Sequence, residues 1–457
     1  MHWGTIPADT QEKLMNLVLS IEETTPYFLK NESLLEGLTL TWFQCFAIEH
    51  CFLSKGSIVS LGTGLGKTMT AIGYILKVFN EIPNAKFGIF FCLPESLTQI
   101  SEDFLEYTNL PVYKISGKAD DIYTLKFVKL ESNTALVISY EALYSIDFAN
   151  WFVENMKDIS VTIFDEAHEL SQTSLVNSFV NQICQKIEYR MALTATPITR
   201  SPEQVIRLLS FFDDTMIPGG IKYLEPYKIY NADYELVDYK HLDNFSLDIY
   251  PRYVSWTRKE LGLCGNYHPY VLEVEPTDEQ KACSLKDSYK IIKGDPNSKQ
   301  AQVFYKLVEY LTSQSKIGLC YSYNREISEQ LCERLQEMGV RALVVNGDPK
   351  NKQIREQVIK LFQSGEIDIL ITNLTMSLNL SCDYLIFWQF TNRAIQMLGR
   401  CERGFLVKDL DIYLIVTKDT VEVEQYQNNV FKRCKWLEEG LGKDIDVFRG
   451  LSKALGG

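Results

Sequence analysis

A short apolar run, Ile58-Val59-Ser60-Leu61, enters Gly62-Thr63-Gly64-Leu65-Gly66-Lys67-Thr68. Glycines in such a turn let backbone N–H groups close around phosphate oxygens, and a helix starting directly after them favours the anion. Apolar residues at helical spacing (Met69, Ile72, Leu76, Phe79) supply that helix. Strand, loop and helix in this order make a P-loop over Thr63, Gly64, Leu65, Gly66, Lys67 and Thr68, although the motif's first glycine position holds Leu61. Lys67 is placed to reach the terminal phosphates of ATP and Thr68 to hold Mg²⁺. Downstream, Asp165-Glu166-Ala167-His168 closes another apolar run. There Asp165 can hold Mg²⁺ through water, and Glu166 can orient or deprotonate the attacking water. Later still, Gln396-Met397-Leu398-Gly399-Arg400-Cys401-Glu402-Arg403 sets two arginines three residues apart on one helical face. A fixed guanidinium at Arg400 or Arg403 can stabilise charge on a γ-phosphate, and Gln396 opens the same candidate catalytic stretch. Ahead of the P-loop, the amide of Gln44 can read an adenine edge, accepting and donating at once.

These residues need strands and helices to hold them. After the P-loop helix, apolar runs at Phe87 to Leu93, Ala135 to Ser139, Val161 to Phe164 and Met191 to Leu193 alternate with helical segments. That rhythm predicts an α/β fold with a parallel sheet, whose ligands bind beyond the carboxyl ends of the strands. It resumes at Ile317 to Tyr321, Ala342 to Val345, Ile367 to Thr372, Leu385 to Trp388 and Ile412 to Val416, predicting a second sheet of the same kind. The expected organisation is a helical preface over 1–37, a first domain over 38–218, a connector or inserted lobe over 219–297 and a second domain over 298–457. The chain of 457 residues is long enough for two or three such units, and its 46% apolar and 23% charged content is that of a globular protein. Its 11 cysteines are scattered without a C-x-x-C pair, which predicts a reducing interior with neither a disulfide framework nor a zinc site. No secretory signal or membrane span is read, so an intracellular place is expected. At a net charge of −13, nucleic acid can be bound only through a local groove.

Taken in order, Lys67-Thr68, Asp165 to His168, Thr194-Ala195-Thr196-Pro197 and Gln396 to Arg403 resemble superfamily-two helicases of the DEAH-box kind. The chain looks most like Swi/Snf-type ATPases. Gly64 to Thr68, Cys92 to Gln99, Ala135 to Leu143, Leu208-Leu209-Ser210-Phe211-Phe212 and Thr257-Arg258-Lys259-Glu260 carry that likeness over roughly residues 38 to 420. Departures exist: Leu61-Gly62-Thr63 stands where the family has Asp-Glu-Met, and Ser377 where it has Gly. The resemblance implies two RecA-like domains in tandem that bind ATP and grip a nucleic-acid strand. By the same token, Pro94, Ser96, Ser139, Tyr140, Thr372 and Asn373 are the expected strand contacts, positioning phosphates without reading sequence. Arg252 to Lys259 is the best basic and aromatic cluster, with a structural role weighed equally.

The expected function is a DNA-stimulated ATPase that moves on duplex DNA without obligatory unwinding, a bare motor such as occurs in viral or bacterial genomes. Replication, repair or transcription proteins are its expected partners. The alternatives are a true DNA or RNA helicase that remodels forks or recombination intermediates, and a binding subunit that uses ATP as a switch.

Overall fold

The computed structural model describes residues 37–127, 131–171, 180, 185–198, 200–212, 219–263, 265–283, 287–346, 352–373, 380–389, 397–398, 401, 408–441, 443 and 446–455. The helical preface expected over 1–37 lies almost wholly outside them. The chain divides after Trp256 into two compact units.

The first unit is built on a seven-stranded sheet in the order β3-β4-β2-β5-β6-β1-β9. Its strands are β1 (Ser57–Leu61), β2 (Phe87–Cys92), β3 (Val112–Ile115), β4 (Thr134–Ser139), β5 (Ile159–Phe164), β6 (Tyr189–Leu193) and β9 (Tyr253–Trp256). Every pairing between them is parallel. Central strands β1, β2, β4 and β6 are buried along their whole length, which is why they read as continuous apolar runs. Helix α1 (Trp42–Leu53) packs on helix α2 (Lys67–Glu81). A Cβ at Gly73 would lie 2.7 Å from Ile48 and 2.9 Å from Leu40, so the absence of a side chain there lets the two helices close up. The Lys77 amine then meets the Glu49 carboxylate at 2.8 Å in the buried seam.

The second unit carries a six-stranded sheet in the order β10-β15-β14-β11-β13-β12. These strands are β10 (Tyr267–Val274), β11 (Gly318–Tyr321), β12 (Ala342–Val345), β13 (Ile369–Thr372), β14 (Tyr384–Phe387) and β15 (Leu410–Thr417). All are parallel. Alternate residues feed two cores, one on each face: Leu319, Leu370 and Leu385 on one, Cys320, Ile371 and Ile386 on the other. Here Lys293 is buried, donating to the Ile415 carbonyl at 2.6 Å, with Glu422 at 3.6 Å and the Trp388 ring at 4.6 Å.

Two α/β units on parallel sheets are the fold expected from the apolar rhythm. The stretch over 219–297 differs from that expectation. It supplies β9 to the edge of the first sheet and β10 to the edge of the second, so each sheet draws a strand from it. It also holds an antiparallel pair, β7 (Lys228–Tyr230) with β8 (Leu236–Tyr239). Edge strands are half-exposed and mix Tyr, His and Glu with aliphatics, as β10 does, which hides them from a search for apolar runs. The basic and aromatic cluster over 252–259 turns out to be structural. Trp256 packs edge-on against Trp42 at 4.9 Å, Arg252 donates to the Gly56 carbonyl at 3.0 Å, and buried Arg258 donates to the Leu263 carbonyl at 2.7 Å.

Candidate active site

The loop from β1 into α2 is held before any ligand arrives. Its first amide, Gly62 N–H, donates to the Trp256 carbonyl on β9 at 3.0 Å. Leu65 N–H donates back to Gly62 at 3.2 Å, closing a tight turn. Gly66 then caps α2 in the left-handed conformation, φ 75°, a region that side-chain-bearing residues rarely adopt. A Cβ there would also sit 2.2 Å from the Gln44 amide nitrogen.

Gln44 explains that closeness. Its side-chain oxygen accepts from Thr41 N–H at 2.8 Å, while its amide nitrogen donates to the Leu65 carbonyl at 3.0 Å. The residue is only 5% exposed. Gln44 therefore ties α1 to the phosphate loop. The adenine edge expected to receive both its oxygen and its nitrogen would have to compete with these two bonds.

Lys67 begins α2, and its amine lies 3.9 Å from the Glu166 carboxylate. Thr68 follows in the same first turn. Glu166 sits one residue past Asp165, just beyond the carboxyl end of β5, with a left-handed backbone at φ 46°. Non-glycine residues hold that conformation at a cost, and such outliers gather at functional sites. Asp165 N–H is bonded to the Phe91 carbonyl on neighbouring β2 at 2.9 Å, and the Asp165 carbonyl accepts from the Tyr140 hydroxyl at 2.6 Å. Burial and the adjoining Glu166 carboxylate push the Asp165 carboxyl up to about 7, against the pull of the Lys67 amine. A hard divalent cation would remove that penalty. The Thr68 hydroxyl and the Asp165 carboxylate are oxygen donors of the kind Mg²⁺ takes, so the residues fit the metal. When bound, Mg²⁺ would neutralise charge on the phosphates.

His168 links this acidic turn to the next strand end. Its Nδ1 lies 3.0 Å from the Thr194 hydroxyl, 3.4 Å from the Glu166 carboxylate, and Nε2 lies 3.5 Å from Glu169. The Thr194 hydroxyl accepts from Thr196 N–H at 3.1 Å, and Thr194 N–H bonds the Val59 carbonyl on β1 at 3.2 Å. His168, Thr194, Tyr140 and Trp256 all position the site. Their letters are visible in the sequence, but bonds between strand ends belong to tertiary structure.

Pro94 and Ser96 lie on a partly exposed turn between β2 and the helix Leu97–Tyr107, at the carboxyl end of the sheet. Ser139 and Tyr140 are turned inward instead. Ser139 is fully buried and its hydroxyl accepts from Glu141 N–H, while Tyr140 stacks on Phe91 and bonds Asp165. Their side chains serve the acidic turn, and a passing strand could meet only their backbone neighbourhood. In the second unit Thr372 is buried at the end of β13, and Asn373 follows with a buried side-chain oxygen that has no partner among the described residues. Gln396, Arg400 and Arg403 lie outside the described residues. No group of three or more potential metal-ligating side chains appears among the described residues, and none of their helices is long and apolar enough to cross a membrane.

The chain is similar to known proteins. A family model described as "Type III restriction enzyme, res subunit" matches residues 36–199, the stretch that carries the P-loop and the acidic motif. Chromodomain-helicase-DNA-binding protein 8 of Danio rerio is 22% identical over 227 residues, covering 45% of this chain and 8% of that protein. Chromodomain-helicase-DNA-binding protein 6 of Homo sapiens is 24% identical over 202 residues, covering 42% and 7%. The chain thus spans less than a tenth of the length of these curated relatives. Among solved structures, the Hef helicase domain of Pyrococcus furiosus superposes with a TM-score of 0.52 at 12% identity, covering 84% of this chain and 97% of that one. A Sulfolobus solfataricus SWI2/SNF2 ATPase core in complex with dsDNA gives a TM-score of 0.42 at 14% identity, covering 95% and 97%. The two sheets are tandem RecA-like helicase folds. The likeness to a helicase-family model and to chromodomain-helicase proteins supports a superfamily-two, Swi/Snf-type nucleic-acid-dependent ATPase. The curated relatives named here are vertebrate proteins and lend nothing to a viral or bacterial source.

Proposed function

We propose that this protein hydrolyses ATP with Mg²⁺ in response to DNA and uses the cycle to move along duplex DNA without obligatory strand separation. The observation that carries the ATPase part is the cluster at the ends of β1 and β5. A pre-shaped phosphate loop presents Lys67, whose amine lies 3.9 Å from Glu166, beside Asp165 at the end of β5. Lys67 binds the terminal phosphates, Thr68 and Asp165 hold Mg²⁺, and Glu166 orients the attacking water. His168 keeps the Glu166 turn in register with Thr194. Arg400 and Arg403, with Gln396, are proposed to supply positive charge to the γ-phosphate in the transition state.

Duplex DNA is the proposed track because the relatives are chromodomain helicase DNA-binding proteins and a SWI2/SNF2 core has been solved with dsDNA. Pro94, Ser96 and Asn373 are the proposed strand contacts, acting on the phosphate backbone, with buried Ser139, Tyr140 and Thr372 holding the loops behind them. Two assays run side by side test the reading. A translocating motor displaces the third strand of a triplex in an ATP-dependent way and leaves a forked duplex intact. Efficient opening of the fork with failure on the triplex replaces translocation by unwinding.

A further inference from the structure

The antiparallel pair β7–β8 stands apart from both parallel sheets as its own two-stranded sheet. Hairpins of this size are marginal in water unless something holds them, and this one is held at its root. The Lys228 amine, in a nearly buried side chain, bonds Glu203 on the helix Glu203–Leu209 and Glu225, each at 2.9 Å. Tyr239 is buried, and Lys240 N–H donates to the Tyr227 carbonyl at 2.8 Å. Its loop is ordered as well. The Asn231 side-chain oxygen accepts from Asp233 N–H at 3.0 Å and Glu235 N–H at 2.8 Å, and its amide donates to the Glu235 carboxylate at 3.1 Å.

What this braced arm presents is apolar. Ile229, Tyr230, Tyr234, Leu236 and Val237 are all exposed, Tyr234 at the tip by 88%. Tyr234 also has a left-handed backbone, φ 62°, at a position where Gly or Asn is the ordinary occupant. Burial gives nothing back to the fold for keeping a tyrosine there. Exposed aromatics on a rigid mount are the usual anchors of interfaces. Charge decides the kind of partner. Its tip and β8 carry Asp233, Glu235 and Asp238, while its two lysines sit at the root: Lys240, and Lys228, which is paired with Glu203 and Glu225. A phosphate backbone would be repelled, which argues against a wedge driven into a nucleic-acid fork.

We propose that the β7–β8 hairpin is a docking arm for a protein partner that presents an extended segment of alternating Lys and aliphatic residues. Tyr234 packs against the segment's aliphatic side chains, and Asp233 and Glu235 face its cations. The proposal stands independently of the motor activity.

The test uses the full chain and a synthetic peptide of alternating lysine and valine, measured by calorimetry at physiological salt. A peptide of alternating glutamate and valine is the control. The wild type binds the basic peptide, Tyr234→Ser weakens it at least tenfold, and the double variant D233K/E235K exchanges preference to the acidic peptide. Equal binding by the wild type and all variants assigns the affinity to the general −13 charge and overturns the proposal. Tyr234→Gly is the second measurement. Its melting temperature stays level or rises, because glycine relieves the left-handed strain; a fall means that Tyr234 serves the fold, and the docking arm is abandoned. Failure of the wild type to bind the basic peptide, or equal binding of the basic and acidic peptides, overturns the proposal equally.

Discussion

At the scale of single residues, Lys67, Asp165 and Glu166 share one small volume but answer to different physics. On the proposed roles, Lys67→Ala removes the cation meant for the phosphates, so turnover is expected to fall through weakened nucleotide binding. Glu166→Gln keeps the shape and removes the base, so turnover is lost while ATP stays bound. Equilibrium binding of a fluorescent ATP analogue separates the two, and equal loss of affinity in both variants contradicts the assigned roles. Gln44 gives a second prediction. Both ends of its amide hold protein backbone, one at Thr41 and one at Leu65. Gln44→Leu removes two buried hydrogen bonds, each about 1 kcal/mol, and raises the KM for ATP by roughly an order of magnitude. Because the bonds serve the phosphate loop, the KM for inosine triphosphate rises by the same factor. A loss confined to ATP shows that Gln44 reads the base instead. Arg400→Ala and Arg403→Ala are expected to lower turnover by roughly a thousandfold, the low end for an arginine finger, with ATP binding little changed.

At the scale of elements, the sites rest on buried polar joints that apolar periodicity does not reveal. The Glu49–Lys77 pair joins α1 to α2, and through Gln44 that seam reaches the phosphate loop. Lys77→Met alone leaves Glu49 buried without its cation and costs about 3–5 kcal/mol. Adding Glu49→Leu recovers most of that loss, which urea unfolding of both variants will check. Lys293 offers a pH test in the second unit. Burial holds its amine below the usual lysine range, despite Glu422. A base whose folded pKa is depressed binds fewer protons folded than unfolded. Its contribution to stability therefore rises with pH until the unfolded pKa near 10.5 is passed. Wild type minus Lys293→Met should thus show stability still increasing as pH rises towards 10.5, and a flat difference below that pH contradicts the placement. Sequence made the P-loop, the acidic turn and the nine apolar strand runs readable because each is local: a turn chemistry or a run buried on both faces. It left β3, β9 and β10 unread, since edge strands such as Val112–Ile115 are short and half-exposed. The inward turn of Tyr140 and the grip of Trp256 on Gly62 escaped for another reason. Both are contacts between strand ends far apart in the chain.

At the scale of the whole molecule, a chain of net charge −13 must hold nucleic acid by few contacts. The proposed contacts, Pro94 and Ser96 in the first unit and Asn373 in the second, are hydroxyl, amide and backbone groups rather than a basic surface. The log–log salt slope of DNA binding is therefore expected to be modest, about −2 to −5, and indifferent to sequence. A steep slope, or preference for one short sequence at physiological salt, points to a site-specific binder. The central claim is that DNA drives ATP hydrolysis at the β1–β5 site. Its most direct test is the steady-state ATPase rate of the full chain without nucleic acid and with duplex DNA, single-stranded DNA or RNA, using Glu166→Gln as the blank. A low basal rate, raised many-fold by duplex DNA, less by single-stranded DNA and least by RNA, is expected, with none of it surviving in Glu166→Gln. A rate that DNA leaves unchanged, or one that persists in Glu166→Gln, contradicts the central claim.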